Sequence, residues 1–310
     1  MRRTLFVMTL AAAFVLLGGV HAFAQASAPS STWSVTDCQG CHEKAFSPMF
    51  SRSKHAGLEL SCAQCHQNVG EHAKAQMAGD NKGPVPSMKG LKANDINATC
   101  LTCHEKDGQS SYLSSMHARR NVACTSCHSV HDAKSPTGQL KTKVEADTCF
   151  TCHQAVRAKS QRTSHHPVRE GRMGCASCHN PHEGSRPSMM KADSVNELCY
   201  TCHAEKRGPF AFEHAPVRED CVSCHEPHGT NHPRLLTQKM PNLCWNCHFT
   251  GSGHFGSGDN FSTEKGVQVA PPGAPTGFPT VNSRFVERSC RTCHVKVHGS
   301  NHPSGAYFVR

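Results

Sequence analysis

The chain has 310 residues, a formal net charge of +10, only 6% aromatic residues and a single isoleucine, Ile96. Most domains of this length are stabilised by buried aliphatic and aromatic side chains, and this composition excludes a core of that kind. In its place stand 20 cysteines and 24 histidines.

In chain order, Arg2 and Arg3 form a short positive start, Leu5 to Val20 is apolar and uncharged, and Ala22-Phe23-Ala24 offers small residues at cleavage spacing. This predicts a secretory signal peptide over residues 1–24. Ala24-Gln25-Ala26 is a second possible cut. A retained anchor is the rival reading, and the shortness of the apolar run argues against it. No later stretch approaches the roughly 20 consecutive apolar residues of a membrane helix. Residues 25–310 are therefore expected in the periplasm as one extended domain without a membrane helix of its own.

From residue 38 onward Cys-x-x-Cys-His recurs ten times and uses every cysteine. The pairs are Cys38/Cys41, Cys62/Cys65, Cys100/Cys103, Cys124/Cys127, Cys149/Cys152, Cys175/Cys178, Cys199/Cys202, Cys221/Cys224, Cys244/Cys247 and Cys290/Cys293. The histidines that follow are His42, His66, His104, His128, His153, His179, His203, His225, His248 and His294. This pentapeptide is the attachment signature of c-type haem. Two thiols three residues apart each form a thioether to one vinyl group, and the adjacent imidazole reaches the iron. One copy could be half a zinc site or a redox dithiol; ten copies with no cysteine left over leave little room for either. Disulfides, the usual reading of an exported cysteine-rich chain, are displaced by the same argument. Ten covalently attached haem c groups are expected, one for about every 29 residues, too few residues to build a separate aliphatic core. The porphyrin faces must then supply much of the buried apolar surface, and the apoprotein is expected to be largely unfolded.

Haem also changes the meaning of the charge. Without Arg2 and Arg3 the chain carries about +8, and ten haems with two propionates each bring it to about −2 oxidised and −12 reduced. Nucleic-acid binding loses its support.

The motifs group into five two-haem modules at about 38–72, 100–131, 149–182, 199–228 and 244–302, with first-cysteine separations of 24, 24, 26, 22 and 46 residues. Recurrence at a near-fixed period signals a repeat architecture. In modules two to four one histidine precedes the second motif and another lies three residues past that motif's own histidine. His117 and His131 fill these places in module two, His165 or His166 with His182 in module three, and His214 with His228 in module four. Module one keeps His55 in the earlier place and has its later histidine at His72. Module five, stretched by a Gly-, Pro- and Ser-rich segment that reads as an irregular loop, offers His254, His298 and His302.

These histidines are the candidate distal ligands, one more than the ten irons need. His254 and His302 compete for module five. His165-x-Pro167-Val168 aligns with His214-x-Pro216-Val217, favouring His165, while the shorter distance to Cys175 favours His166. His232 matches no repeat position and is expected at the surface. Methionines outside the leader, such as Met116 and Met240, do not recur in register and read as packing residues. Two imidazoles per iron imply low-potential haems with no open position for substrate, hence electron transfer rather than catalysis. Secondary structure is weakly signalled: mostly coil with short α-helices, one of them around residues 154–162, and little or no β-sheet.

The segment Leu198-Cys-Tyr-Thr-Cys-His-Ala-Glu-Lys-Arg-Gly-Pro-Phe, running on through Glu213-His-Ala-Pro-Val-Arg-Glu-Asp-Cys221, resembles the decahaem cytochromes of the MtrA/DmsE/PioA type. So does Arg288-Ser-Cys-Arg-Thr-Cys-His-Val-Lys-Val-His-Gly-Ser-Asn-His-Pro-Ser-Gly305. The resemblance implies an outer-membrane β-barrel porin partner, periplasmic or inner-membrane cytochromes on one side and an extracellular multihaem cytochrome on the other. A bare polar coil cannot sit in hydrocarbon with unsatisfied backbone groups, so a haem wire across a bilayer needs a sheath, which a large barrel can provide. The rival readings are a soluble periplasmic carrier serving a terminal reductase and a multihaem reductase. The reductase needs a five-coordinate iron, often marked by a variant motif, and all ten motifs here end in histidine. Direction of flow, to Fe(III) or from Fe(II), stays open.

Overall fold

The described helices are one to three turns long, and most of the attachment motifs lie in or beside one. The computed structural model describes residues 35–57, 62–80, 83–85, 87–105, 109–248, 268–269, 281–282 and 289–309. The leader, His254 and most of the segment from 251 to 284 lie outside them. The longest described helices are Val69–Met77 and Ala93–Leu101, nine residues each. The helix expected around residues 154–162 spans Gln154–Ser160. None of the described helices is long and apolar enough to cross a membrane.

The first motif of modules two to five sits at the end of a short helix: Ala93–Leu101, Glu145–Phe150, Val195–Tyr200 and Asn242–His248. Ser194 caps the third of these by accepting from the Glu197 N–H at 3.1 Å, satisfying a donor the helix start leaves unpaired. The second motif of each module is a single turn, as in Cys62–Gln64, Cys124–Cys127, Cys175–Ser177, Cys221–Ser223 and Cys290–Thr292.

Buried asparagines tie the two motifs of a module together. Asn97, fully buried, accepts from the Cys124 N–H at 2.8 Å and donates to the Val122 carbonyl at 3.2 Å. Asn196 repeats the arrangement one hundred residues on, accepting from the Cys221 N–H at 2.8 Å and donating to the Val217 and Arg218 carbonyls. Each lies three residues before its module's first cysteine. In module three Ala146 holds that place, and Glu145 accepts instead from the Ala176 N–H at 2.7 Å.

Adjacent modules meet through paired backbone. Ser164 bridges Thr230 and Phe212 bridges Ser300, both antiparallel. The approach is close enough that Gly229 and Gly299, at φ of 135° and 138°, leave no room for a Cβ: one would lie 2.2 Å from the Lys159 carbonyl oxygen, the other 2.2 Å from the Phe210 ring. One departure from expectation lies in the Gly/Pro/Ser-rich segment, where Gln268–Val269 pairs antiparallel with Val281–Asn282. Alternation of β-branched residues over so few positions is too short a signal to read in advance.

Buried apolar side chains among the described residues are few and mostly small, including Ala118, Ala123, Ala133 and Ala146 beside Ile96, Leu101, Tyr112, Phe150 and Leu243. The protein part alone therefore buries little.

Candidate haem-binding and electron-transfer site

Each attachment motif closes one helical turn. The N–H of the histidine donates to the carbonyl of the first cysteine at 2.9 Å in His42, 3.0 Å in His104 and His179, and 3.1 Å in His225. The turn sets both thiols and the imidazole on one side of the backbone, as thioether attachment with axial ligation requires.

The polypeptide does not enclose all of the predicted attachment cysteines. The first cysteine of every motif is partly buried, whereas the second is exposed in Cys41, Cys65, Cys103, Cys152, Cys202, Cys247 and Cys293. The turn explains the difference, because it directs the first cysteine toward the other motif of its module and the second toward the module's outer edge. Cys202 is exposed even though it lies close enough to Cys178 to raise that thiol's pKa.

Nine of the ten motif histidines face a second histidine from elsewhere in the chain. Ring centres are 5.9 Å apart for His42 and His72, 5.8 Å for His104 and His55, and 6.0 Å for His66 and His131. They are 6.0 Å apart for His128 and His182, and 6.1 Å for His153 and His117. The other pairs are His179 with His228 at 6.2 Å, His203 with His166 at 6.4 Å, His225 with His298 at 6.1 Å and His248 with His214 at 6.1 Å.

Interplanar angles range from 12° for His179/His228 to 70° for His153/His117 while the separation stays between 5.8 and 6.4 Å. Rings packed directly on one another change separation with tilt. A constant separation at any tilt is what a shared metal imposes: with each nitrogen about 2 Å from the metal and each ring centre about 1.1 Å beyond, two imidazoles stand about 6 Å apart. Among the described residues no three His, Cys, Asp or Glu side chains cluster as a bare metal cage. The donors come in twos, which suits a porphyrin filling the equatorial plane.

Hydrogen bonding leaves Nε2 available on these rings. The Nδ1–H donates to a backbone carbonyl in His72 (Pro84, 2.9 Å), His117 (Pro181, 3.2 Å), His131 (Ala45, 2.9 Å) and His166 (Pro227, 2.8 Å). The motif histidines His128, His179, His225 and His294 do the same to Gly138, Ser188, Arg234 and Tyr307. Several of these carbonyls come from turns in the left-handed region, with φ of 52° at Ser188 and 60° at Arg234. The Nδ1 atoms of His55 and His214 are buried beside the Gln139 side chain and the Val297 backbone without completing a hydrogen bond. Burial lowers the pKa of His55, His182, His214, His228 and His298, with the facing ring adding to it in each. That favours the neutral imidazole, the form that can bind metal.

The twin histidines separate cleanly. His166 faces His203, whereas His165 has both nitrogens engaged, Nδ1 donating to the Arg162 carbonyl at 2.5 Å and Nε2 meeting Glu170 Oε1 at 3.0 Å. The hydrogen bond from His165 pulls the Glu170 carboxyl down to about 2. In module five His298 faces His225, and His302 is exposed, its Nδ1 accepting from the Ser304 N–H. Among the described residues no histidine ring pairs with His302. The sequence carries the reason: His228-Gly-Thr-Asn-His232-Pro and His298-Gly-Ser-Asn-His302-Pro are nearly the same hexapeptide, so His302 stands where the non-ligand candidate His232 stands. His254, the remaining candidate, lies outside the described residues.

The pairing crosses module boundaries. The earlier-place histidine of one module serves the first motif of the next, as His55 serves His104 and His117 serves His153. The later-place histidine serves the second motif of the module before, as His131 serves His66 and His182 serves His128. Each boundary between adjacent modules is thus joined twice.

Cysteines of successive motifs also meet. Within modules the first cysteines of the two motifs lie close enough to perturb each other, Cys38 with Cys62, Cys100 with Cys124, Cys149 with Cys175, Cys199 with Cys221 and Cys244 with Cys290. Electrostatic contact links Cys65 to Cys100, Cys127 to Cys152, Cys178 to Cys199 and Cys224 to Cys247 between them. Thioether formation leaves these adjacencies in place.

Paired attachment motifs, short helices and a minimal aliphatic core define a multihaem c-type cytochrome that carries several covalent haem c groups and transfers electrons. Residues 165–208 and 214–252 match the doubled CXXCH motif, and residues 62–146 match the cytochrome c-type protein NrfB-like family. Over 286 residues the chain is 41% identical to multiheme cytochrome MtrA of Shewanella baltica, covering 88% of this chain and 80% of that protein. It is 26% identical over 157 residues to the cytochrome c-type protein NrfB of Escherichia coli, 46% of this chain and 80% of NrfB. The chain belongs to the MtrA family of multihaem cytochromes.

Proposed function

We propose that this protein is a ten-haem wire running in sequence order from the first motif to the last, sheathed by an outer-membrane β-barrel porin. Each haem supplies a one-electron couple held between two imidazoles. His72, His131, His55, His182, His117, His228, His166, His298 and His214 are the distal ligands of motifs one to nine in order, and His254 is that of motif ten. The observation that supports the wire is continuity: two facing histidine pairs span each of the four boundaries between adjacent modules. Saturated coordination supports transfer over catalysis, since no distal face is left for substrate.

The likeness to MtrA supports a periplasmic location at the outer membrane, with periplasmic or inner-membrane cytochromes as inner partners. An extracellular multihaem cytochrome or iron is the outer one. A bilayer with its headgroups is about 40–45 Å thick, more than one haem can bridge and within reach of a row of them. Reconstitution with an outer-membrane β-barrel porin in liposomes around a trapped redox dye tests this. External reductant should reduce the dye only when both proteins are present. Dye reduction that needs the porin alone, or none with both, would defeat the proposal in favour of a soluble carrier.

A further inference from the structure

One facing imidazole meets a carboxylate where four others meet backbone carbonyls. His72, His117, His131 and His166 donate Nδ1–H to neutral backbone carbonyls. His228 Nδ1 instead lies 3.1 Å from Oε1 of Glu226, whose Oε2 is 2.6 Å from the Lys159 ammonium. We infer that Glu226 is a potential-setting residue that makes the haem held by His179 and His228, the sixth of ten, the hardest in its part of the chain to reduce. The inference rests on the bis-histidine reading above.

The physical basis is the basicity of the ligand. A carboxylate accepting the second N–H of a metal-bound imidazole makes that imidazole a stronger electron donor, which favours the ferric state and lowers the potential. The couple itself is simple: ferric iron gains one electron from the adjoining haem and becomes ferrous, with no bond broken and no proton lost from the ring. Lys159 works against the carboxylate's charge, but it sits on the far oxygen, while the near oxygen meets the ring directly. Both side chains are partly exposed, 37% for Lys159 and 24% for Glu226, so water screens the through-space part of the effect. The directed hydrogen bond is what remains. The lysine's larger role is to keep the glutamate ionised and aimed.

A merely structural role can be separated by comparison within the chain. Glu226 Oε1 also accepts from the His228 backbone N–H at 3.3 Å, closing a small turn. One repeat earlier, in Cys-His-Asn-Pro-His, Asn180 Oδ1 accepts from the His182 N–H at 3.2 Å in the same way. A neutral amide is therefore sufficient for the turn. The charge at position 226 is additional, and module two has Ser129 there.

Glu226→Gln retains the turn oxygen and removes the charge. In a spectroelectrochemical titration of the ten-haem protein, one haem should become easier to reduce by about tenfold in its equilibrium constant, which is about 59 mV for a one-electron couple. Its ferric spectrum should stay low spin. Unchanged potentials at all ten haems would overturn the inference. Should Glu226→Gln fail to load ten haems, Asn180→Glu decides: it should lower the potential of the haem held by His128 and His182, and no change there overturns the inference. His228→Ala, which should turn one haem high spin, tests the ligand reading separately. If it leaves every haem low spin, that reading fails, whatever the potentials do.

Discussion

His55 stands with its ring centre 5.8 Å from that of His104, although the two belong to different modules. A histidine that by spacing belongs to module one faces the first motif of module two. Replacing His55 with alanine should therefore convert the haem attached at Cys100 and Cys103 to high spin and leave those at Cys38 and Cys62 low spin. Site-resolved NMR or EPR of the ferric protein checks this; a high-spin signal from the first module would contradict the pairing.

The doublet His165-His166 gives a sharper contrast. His166→Ala should produce one high-spin haem, while His165→Ala should cost only its links to Arg162 and Glu170 and leave all haem spectra as they were. The same holds at the C-terminal end, where His302→Ala should be spectroscopically silent and His254→Ala should not. Magnetic circular dichroism of the four variants decides.

Asn97 is a stability determinant out of proportion to its size. Asn97→Ala leaves the Cys124 N–H without its partner, while the Val122 carbonyl keeps the Tyr112 hydroxyl at 2.7 Å, a loss of about 1–3 kcal/mol. Asn196→Ala should cost about the same at Cys221. A lowered guanidinium midpoint with ten haems still attached is the expected result; a midpoint within error of the parent would mean that the clamps are incidental.

Acid should weaken the fold. Burial holds His55, His182, His214, His228 and His298 below their ordinary value of 6.5. The unfolded chain therefore binds more protons than the folded one just below that pH, and stability is full above about 6.5 and falls as pH drops through the window beneath it. Denaturation midpoints at pH 7.5 and pH 5.5 should differ in that direction, with high-spin haem appearing at the lower pH. Equal midpoints would remove these imidazoles from the acid response.

Gly229→Ala should be worse than Gly299→Ala. Both have positive φ, but the new methyl group meets the rigid Lys159 carbonyl in the first and the movable Phe210 ring in the second. Destabilisation above about 2 kcal/mol is expected for Gly229→Ala, read as a drop in thermal midpoint; the reverse order would show that Phe210 is the less yielding neighbour.

Much of this architecture was legible in the sequence because covalent attachment leaves a rigid signature: five residues, no tolerance in spacing, ten times over. The histidines outside the motifs were legible as a set. Their partners were not, because ligation joins positions far apart in the chain and periodicity reports only position within a module. Nor does the motif tell a half-covered thiol such as Cys38 from an exposed one such as Cys41, since that depends on which motif packs alongside. His302 could have been set aside from the hexapeptide it shares with His232. Asn97 and Asn196 share a fixed distance to the following cysteine, but a single buried amide has no periodic pattern to betray it. Glu226 differs from Asn180 by a charge whose meaning depends on a ring nitrogen that only folding brings near.

The double joining of each boundary also orders assembly. A chain becomes available to fold from its N-terminus first, so when His104 emerges its mate His55 is already there. His66 must wait until His131 has followed it. With the proposed ligands, every newly arrived pair of haems would lock backward at once and leave one iron unfinished for its successor, so that maturation advances like a ratchet whose last tooth is set only when His298 reaches His225.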